Sequence, residues 1–223
     1  MSMRGVMPEW EARLRSVAQS AAANSPRHLF QELNPELEVS PIFTSPPKVL
    51  RPASVLIPVV HRPNGPNVLF MVRAATMPSH AGEIGFPGGG PKETDGDDPV
   101  ATALREAHEE VGIPPDRVDV LARFAPHIGG LGYAVTPVVG LVESSVEICP
   151  CEREVCEAFE VPLAHLTDLS NHRVEDRILR GKSYRMFAVP SHDEAGRSRH
   201  IWGLTAGIVH SFARAYSDVS VAA

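Results

Sequence analysis

The segment between Asp98 and Gly112 constrains the fold most, because its apolar residues form a single helical stripe. Asp98 suits a helix N-cap, Pro99 suits the first turn, and Gly112 suits the residue that ends the helix. Apolar side chains recur between them at helical spacing, at Val100, Ala103, Leu104, Ala107 and Val111. Such a stripe must be buried against another element. The segment therefore predicts an amphipathic helix that packs on a layer of the core.

Three glutamates, Glu106, Glu109 and Glu110, lie off this stripe and close together on the predicted helix. Like charges three or four residues apart cost about 0.2–0.5 kcal/mol per pair, so their repulsion calls for compensation. Carboxylate oxygens suit Mg²⁺ or Mn²⁺, and Mg²⁺ usually leaves room for substrate phosphates. A solvated acidic face with Arg105 as its local partner explains the same pattern without a metal.

A glycine run stands before the helix, in the sequence GFPGGG that ends at Gly90. Glycine allows the backbone to approach a ligand closely. A glycine loop beside an acidic helix is what a phosphate and metal site needs. Three acids of the intervening stretch could support a metal shell, although helix capping and solvation explain them equally well: Asp95, Asp97 and Asp98.

The composition indicates a soluble globular protein. The 223 residues are 43% hydrophobic and 22% charged, which fits one domain with an extension. A net charge of −6 argues against nucleic-acid and anionic-membrane partners, and the longest apolar runs are too short to cross a bilayer. The N-terminus has no apolar core of a signal peptide.

The cysteines are few and odd in number, which suits a reducing cytoplasm. Cys149, Cys151 and Cys156 have C-x-C-x4-C spacing, and a zinc site would need a fourth ligand such as His165. Free thiols in a cytoplasmic protein are the simpler expectation.

Strand-like and helix-like segments are mixed along the chain, which predicts an α/β domain. A helix over residues 8–23 precedes an irregular Pro-rich segment, and we place the boundary between extension and domain at 47/48, with the domain ending at 218. The runs SVLIPVV, VLFMVRA, VDVLARFAP and YAVTPVVGLVE predict strands. CEREVCEAF is read as a short helix or helix-entry loop and LAHLTDL as a short helix. SYRMFAVP and RHIWG predict a hairpin, and LTAGIVHSFARAYS a closing helix.

The helix sequence LREAHEEVGI resembles the second half of the Nudix box, G-x5-E-x7-R-E-U-x-E-E-x-G-U, where U is a bulky apolar residue. The matching positions are Arg105, Glu106, Glu109, Glu110, Gly112 and Ile113. The first half departs from this pattern. Counting back from Arg105 places the leading acid at Asp97 and the leading glycine position at Pro91, so the loop here is longer than the common box.

An upstream segment, VRAATMPSHAGEIGFPGG, is similar to the motif R-S-x-x-L-R-x-H-x-G-x-x-x-F-P-G-G of the coenzyme A (CoA) pyrophosphatase branch. The matching residues are Arg73, His80, Gly82, Phe86, Pro87, Gly88 and Gly89. Ala74 stands where serine is usual, and Met77–Pro78 where Leu-Arg is usual. The resemblance covers about residues 48–217 and leaves the N-terminal extension out.

The resemblance implies a Nudix fold, in which a mixed β-sheet lies between α-helices, with an N-terminal helical or irregular extension. It also implies an enzyme that hydrolyses a nucleoside diphosphate linked to another group, with CoA or its derivatives as the expected substrate. The products from CoA would be 3′,5′-ADP and 4′-phosphopantetheine. Two alternatives stay open, a hydrolase of ADP-ribose, NADH or another nucleotide, and a catalytically silent nucleotide-binding or regulatory module.

The residues that match the family motif receive its roles as expectations. The glutamates 106, 109 and 110, with the carbonyl of Gly89, would bind Mg²⁺ or Mn²⁺, while Arg105 orients the carboxylates. The substrate-binding residues would be Arg73, His80, Gly88 and Gly89, although Arg73 could instead form a structural ion pair and His80 a hydrogen bond that stabilises a turn. Either Glu109 or the later Glu154 would accept the proton of the attacking water. A homodimer is a further expectation, since the extension would cover either the sheet or a neighbouring subunit.

Overall fold

Two β-sheets form the framework of the chain. The computed structural model describes residues 7–24, 28–35, 49–77, 80–128, 132–179 and 181–219. Within these ranges the larger sheet contains β1 (Arg51–Arg62), β2 (Gly65–Arg73), β3 (Ile84–Gly85), β4 (Gly88–Gly89), β5 (Val118–Arg123), β6 (His127–Ile128), β7 (Tyr133–Val142) and β8 (Val155–Pro162). The smaller sheet contains β9 (Arg173–Leu179), β10 (Lys182–His192) and β11 (Ser198–Trp202). The helices are α1 (Glu9–Ser16), α2 (Ala21–Asn24), α3 (Leu29–Leu33), α4 (Pro99–Val111), α5 (Leu163–Thr167) and α6 (Gly203–Asp218).

The larger sheet is mixed. Its centre is the parallel pair of β1 and β7, in which Val55 lies opposite Pro137. Every other pairing in it is antiparallel among the described residues: β2 and β4 pair with β1, β3 and β8 pair with β2, and β5 and β6 pair with β7. The smaller sheet is an antiparallel meander with β10 in the middle.

Strand β1 divides its side chains between two cores. Leu56 and Val60 pack in the core that α4 covers, whereas Ile57 and Val59 pack in the core that α6 covers. Because successive side chains of a strand point to opposite faces, a strand buried on both faces is apolar throughout. This explains the unbroken run SVLIPVV. It also confirms the predicted architecture, a mixed sheet between helices.

Helix α4 forms as predicted. The Asp98 side chain accepts a hydrogen bond from Val100 N at 2.9 Å, and Gly112 ends the helix in the left-handed region at φ 74°. The predicted stripe faces the sheet, and its members Ala103, Ala107 and Val111 are fully buried. The amphipathic pattern therefore placed both the helix and its orientation correctly.

The N-terminal prediction is wrong in part. The helix predicted over residues 8–23 breaks into α1, a 3₁₀ turn at Val17–Gln19, and α2. Ser20 is extended at the break, and Asn24 Nδ2 donates to the carbonyl of Ser20 at 3.0 Å, a local bond that competes with helix formation. Helix α3 lies within the segment predicted to be irregular. Since residues 36–48 lie outside the described residues, the boundary at 47/48 remains a proposal.

The C-terminal half differs from the prediction at CEREVCEAF, which is a turn followed by β8 rather than a helix. Strand β8 pairs along the length of β2, and this pairing buries Val155, Phe159 and Val161. Helix α5, the hairpin of β10 and β11, and helix α6 form as predicted. Strand β9 was not predicted, because its sequence has no recognisable apolar face. In the structure its residue Ile178 is 77% exposed.

The structure bears on two expectations from composition, free cysteines and the absence of a membrane-spanning segment. All three cysteines are free thiols, and His165 Nε2 bonds the carbonyl of Pro190 at 2.9 Å. No group of three His, Cys, Asp or Glu side chains is arranged to hold a metal within the described ranges, so the zinc alternative gains no support. In the same part of the chain no helix is long and apolar enough to span a membrane.

A buried aspartate organises the turn between β10 and β11. The side chain of Asp193 accepts hydrogen bonds from the backbone N–H groups of Ala195 and Arg197 and from the guanidinium groups of Arg197 and Arg199. Arg199 also forms two hydrogen bonds to Glu157 of β8, so the network joins the two sheets. Burial raises the pKa of Asp193, but these hydrogen bonds outweigh it and lower the pKa to about 2.

We expect Asp193→Asn to lower the Tm by about 5 °C or more, because the amide leaves two guanidinium groups short of an anionic partner. The pKa of Asp193 in the folded protein lies below its ordinary value of 3.8. Its stabilisation is therefore complete above about pH 4 and is lost as the pH falls towards 2. Thermal unfolding between pH 2.5 and 7 measures both effects. The exposed Asp176→Asn is the control, and equal Tm values for the two variants would contradict the role given to Asp193.

Candidate functional site

Arg105 is the central cation of the site on α4. Its Nε and Nη2 atoms donate to the two carboxylate oxygens of Asp95 at 2.8 and 2.9 Å. Its Nη1 donates to Glu106 at 2.7 Å and to Glu109 at 2.9 Å, and Nη2 also donates to the carbonyl of Gly90 at 2.9 Å. The expected orienting contacts of Arg105 with the glutamates are therefore present. A planar guanidinium suits this task because its donors have fixed directions.

The structure corrects the position of the leading acid. Asp95 is buried and also accepts hydrogen bonds from Lys92 N at 2.8 Å and Thr102 Oγ1 at 3.1 Å. Hydrogen bonds from Arg105 hold the pKa of Asp95 well below its usual range. Asp97, where counting back from the arginine places the acid, is exposed at φ 60° and is not bonded to Arg105.

The signal for Asp95 was present in the sequence. Five residues separate Gly89 from Asp95, which is the spacing of glycine and acid in the common box. The two additional residues of the loop lie between the acid and Arg105 instead. They are accommodated by a turn in which Gly96 and Asp97 both have positive φ.

The three glutamates have different surroundings. Glu109 is exposed and accepts two hydrogen bonds from Lys92 Nζ at 2.9 Å, and these bonds lower its pKa. The side chain of Glu106 is 13% exposed and lies against Gly89. Glu110 is buried and accepts a hydrogen bond from Gly88 N at 2.8 Å. Lys92 had no distinguishing spacing, so sequence reasoning missed it.

The glycines of β4 are required by two different close approaches. A Cβ atom on Gly88 would lie 2.3 Å from the carbonyl oxygen of Ser54 in the adjacent strand β1. A Cβ atom on Gly89 would instead lie 2.7 Å from the carboxylate of Glu106. Gly90 has open space at the same point. The glycine loop thus lies directly on the acidic face of α4, as the sequence predicted.

We expect Gly89→Ala to reduce the hydrolytic activity that the family resemblance predicts by about tenfold, with little loss of Tm, because the new methyl group displaces Glu106 while the strand pairing is kept. Steady-state kinetics and thermal unfolding measure the two effects. Gly90→Ala is the matched control and should behave like the wild type. If both variants were fully active, the contact between Gly89 and Glu106 would have no part in turnover.

Glu110 lies in an environment short of positive charge. Burial raises its pKa to about 7, although the Gly88 N–H and Arg73 oppose this rise, and the charges of Glu106 and Glu154 add to it. The Nη1 atom of Arg73 lies 3.6 Å from Glu110 Oε1, too far for a good hydrogen bond. The backbone N–H of Cys151 donates to the carbonyl of Glu110 at 2.8 Å, so the turn before β8 lies against α4.

The predicted substrate-binding residues share one cavity of about 550 Å³. Arg73, His80, Gly88 and Gly89 all line it, together with apolar residues of α3, β7, β10 and α6. Arg73 Nε is buried and forms no hydrogen bond within the described residues. His80 has φ 59° and its Nδ1 lies 2.7 Å from Glu83 Oε2, so it is held by a turn contact. The Met77–Pro78 departure cannot be placed in full, because Pro78 lies outside the described residues.

The donor set fits a hard divalent ion. It consists of carboxylate oxygens on neighbouring turns of α4, with the backbone of Gly89 close to Glu106. A cation would supply the positive charge that the buried Glu110 lacks. In the conformation described, Lys92 and Arg105 hold Glu109, so the three carboxylates do not converge, and metal binding would require this exposed side chain to turn.

Comparison with known proteins places the chain in a family. A family model described as NUDIX domain matches residues 50–180, more than half of the chain. Relatives described as uncharacterized Nudix hydrolase NudL include one from Cronobacter sakazakii, 39% identical over 82% of this chain and 89% of the relative. Another, from Photorhabdus laumondii, is 41% identical over 76% of this chain and 89% of the relative.

Solved structures also resemble the chain. A Nudix hydrolase from M. smegmatis, RenU, has a TM-score of 0.45 and 25% identity, covering 53% of this chain and 74% of that one. The NUDIX domain of Shewanella oneidensis NrtR, solved with ADP ribose, has a TM-score of 0.41 and 21% identity over 54% and 80% of the two chains. Because the family match spans β1 to β9 and includes α4, and the relatives align along most of both chains, this protein belongs to the Nudix family of hydrolases.

Proposed function

We propose that this hydrolase cleaves the diphosphate of CoA or a CoA derivative, with Mg²⁺ or Mn²⁺ as cofactor. From CoA the products would be 3′,5′-ADP and 4′-phosphopantetheine. The observation that carries the proposal is the cavity in which Arg73, His80, Gly88 and Gly89 meet beside α4. These residues belong to the upstream motif that the chain shares with the CoA pyrophosphatase branch.

The described contacts support a division of roles around a bound diphosphate. Arg73 Nε is a buried donor without a protein acceptor in the described ranges, and a phosphate oxygen would satisfy it. The glutamates 106, 109 and 110, with the Gly89 carbonyl, would hold the divalent ion, which when bound neutralises phosphate charge and activates water. Arg105 would keep Glu106 and Glu109 oriented.

The base that takes the proton of the attacking water would be Glu109 or Glu154. Glu109 accepts a hydrogen bond from Arg105 and is exposed, so it can reach a water molecule at the surface of the site. Glu154 is exposed in the turn before β8, and its charge acts on Glu110. Glu109→Gln and Glu154→Gln, compared in pH–rate profiles, would distinguish them, because loss of the base removes the acidic limb of the profile.

A product-identification assay tests the proposed function. Purified protein is incubated with CoA, ADP-ribose, NADH and dinucleoside polyphosphates, with Mg²⁺, with Mn²⁺ and with a chelator, and the products are separated. We expect CoA to give 3′,5′-ADP only in the presence of metal. Cleavage of ADP-ribose with CoA left intact would refute the CoA assignment. Nucleotide binding without any cleavage would favour the silent module, and equal rates with chelator would refute the metal.

The expectations of a homodimer and of a cytoplasmic location remain predictions from the sequence. The three free cysteines support a reducing environment. Sedimentation of the purified protein measures its oligomeric state.

A further inference from the structure

We propose that two copies of the chain pair through β9, so that their smaller sheets join into one continuous antiparallel sheet. This inference gives the expected homodimer a defined interface. It does not depend on the identity of the substrate, so it can fail or hold independently of the proposed function.

Strand β9 is an edge strand of the smaller sheet. It pairs with β10 on one side, and within the described residues no strand pairs with its other side. An edge strand presents backbone N–H and C=O groups that can pair with a strand of another chain. Two apolar side chains of β9 are exposed as well, Val174 at 42% and Ile178 at 77%. The edge therefore offers both backbone groups and apolar side chains to a partner strand.

The pairing with β10 determines which backbone groups of β9 point outwards. Asp176 lies opposite Arg185 of β10. The N–H of Arg185 donates to Asn34 Oδ1 at 2.9 Å, and its C=O accepts from Asn34 Nδ2 at 3.0 Å. Asp176 and Arg185 are therefore a non-hydrogen-bonded pair, in which the backbone groups of each residue point away from the other strand. Because this pattern alternates along a strand, the outward groups of β9 are those of Val174, Asp176 and Ile178.

These outward groups match those of a second copy of β9 in antiparallel orientation. A two-fold axis through Asp176 places Val174 of each copy opposite Ile178 of the other. In such a pair each residue donates its N–H to the other and accepts at its own C=O, so every outward group on these residues obtains a partner. The interface would be isologous, which is the usual arrangement of a homodimer.

The side chains of β9 agree with this register. Val174 and Ile178 share one face of the strand, so the exposed Ile178 of one copy would pack beside Val174 of the other. On the opposite face, Glu175 of each copy would lie opposite Arg177 of the other, and opposite charges in that position stabilise a sheet. Apolar residues thus meet apolar residues, and acidic residues meet basic ones.

Asp176 is the position at which the register brings like charges together. Its neighbour in β10 is Arg185, an exposed guanidinium on the same face, so each carboxylate has a positive charge on the inner side of the joined sheet. Axes through Glu175 or Arg177 would also pair like charges, and they would place Asp176 opposite Val174 or Ile178. The axis through Asp176 is therefore the register that the sequence of β9 favours.

Sedimentation equilibrium of the full chain tests the interface. We expect a reversible dimer for the wild type. Ile178→Asp should weaken this dimer by at least about tenfold, because a carboxylate would be brought against Val174 of the other copy. Val49→Asp is the matched control, since Val49 is an apolar residue of similar exposure, 79%, outside β9. It should dimerise like the wild type, and far-UV circular dichroism shows that both variants are folded.

A mixing experiment tests the register. Glu175→Arg and Arg177→Glu would each place like charges opposite one another in a homodimer, so each variant alone should dimerise more weakly than the wild type. In an equimolar mixture the arginines of the first variant would lie opposite the glutamates of the second. The mixture should therefore form a dimer that contains one copy of each. The double variant, with both substitutions in one chain, should dimerise with itself.

The remaining outcomes would overturn the inference. They include a wild type that stays monomeric at every concentration, a wild type that forms larger aggregates instead of a dimer, and a dimer that Ile178→Asp does not weaken. Recovery in the double variant without a dimer in the mixture would also overturn it. The charges would then act within one chain, where Arg177 Nη2 lies 3.2 Å from Glu175 Oε2.

Discussion

Replacing Glu110 with glutamine is expected to reduce hydrolysis by at least about 10²–10³-fold, because a divalent ion that is bound less well no longer stabilises the charge developing on the phosphate oxygens. The amide keeps the size of the side chain, and its oxygen can still accept the hydrogen bond from Gly88 N. What it loses is the negative charge that a divalent ion requires. Glu109→Gln should have a comparable effect, because in the proposed function Glu109 either binds the ion or accepts a proton. Steady-state rates on the best substrate of the panel measure both losses.

The control variant shows whether the loss of activity comes from removing a carboxylate at the proposed metal site or from removing any negative charge near it. Glu93→Gln changes an exposed acid in the loop before α4 that forms no hydrogen bond to Arg105 among the described contacts. It should retain the wild-type rate. Mn²⁺ affinity, measured by titration calorimetry, should fall in Glu110→Gln and not in Glu93→Gln, while the Tm of each variant shows that it is folded. Retained activity in both site variants would refute the metal cluster.

The parts of the fold that sequence reasoning predicted correctly have strong local signals. Helix α4 has a cap, an apolar stripe and a terminal glycine, so local and global preferences agree. Strand β8 was missed because its alternation is interrupted: Glu160 is buried there, satisfied by hydrogen bonds from Arg62 and Asn67. Those partners come from strands 93 or more residues away. A pattern within one segment cannot reveal such contacts.

The candidate site was predictable to a similar extent. The proximity of the glutamates to the glycine loop could be predicted, because helical spacing and close backbone approach are both visible in the local sequence. The wall contributed by α3 was not found, because Asn34 joins β10 across 151 residues of sequence. The spacing from Gly89 to Asp95 was visible, but counting from Arg105 assumed a loop of standard length. The hydrogen bonds from Arg105 to Asp95 indicate that Asp95, rather than Asp97, is the leading acid of the motif.

The second large effect is expected from replacing Asp95, the acid that binds Arg105. Asp95→Asn should lower the Tm by about 5–10 °C, because it removes the carboxylate that neutralises the partly buried Arg105. It should also reduce hydrolysis by about 10–100-fold, the usual effect of losing a group that orients metal ligands. Without the Asp95 carboxylate, Arg105 would keep only Glu106 and Glu109 as carboxylate partners and would compete with a cation for their oxygens. Thermal unfolding and kinetics on the same preparations measure both losses.

The matched control is Asp97→Asn, and the comparison decides which acid belongs to the box. Asp97 is exposed in the left-handed region at φ 60°, a conformation that asparagine tolerates as well as aspartate, so this variant should keep the wild-type Tm and rate. The alignment from sequence counting makes the opposite prediction. If Asp97→Asn were the damaging change and Asp95→Asn the harmless one, the contact between Asp95 and Arg105 would not support the site. A large loss of Tm and rate in Asp95→Asn but not in Asp97→Asn would show that the two additional loop residues follow the acid. It would also show that the Asp95 carboxylate holds Arg105 in the position from which it orients the glutamates.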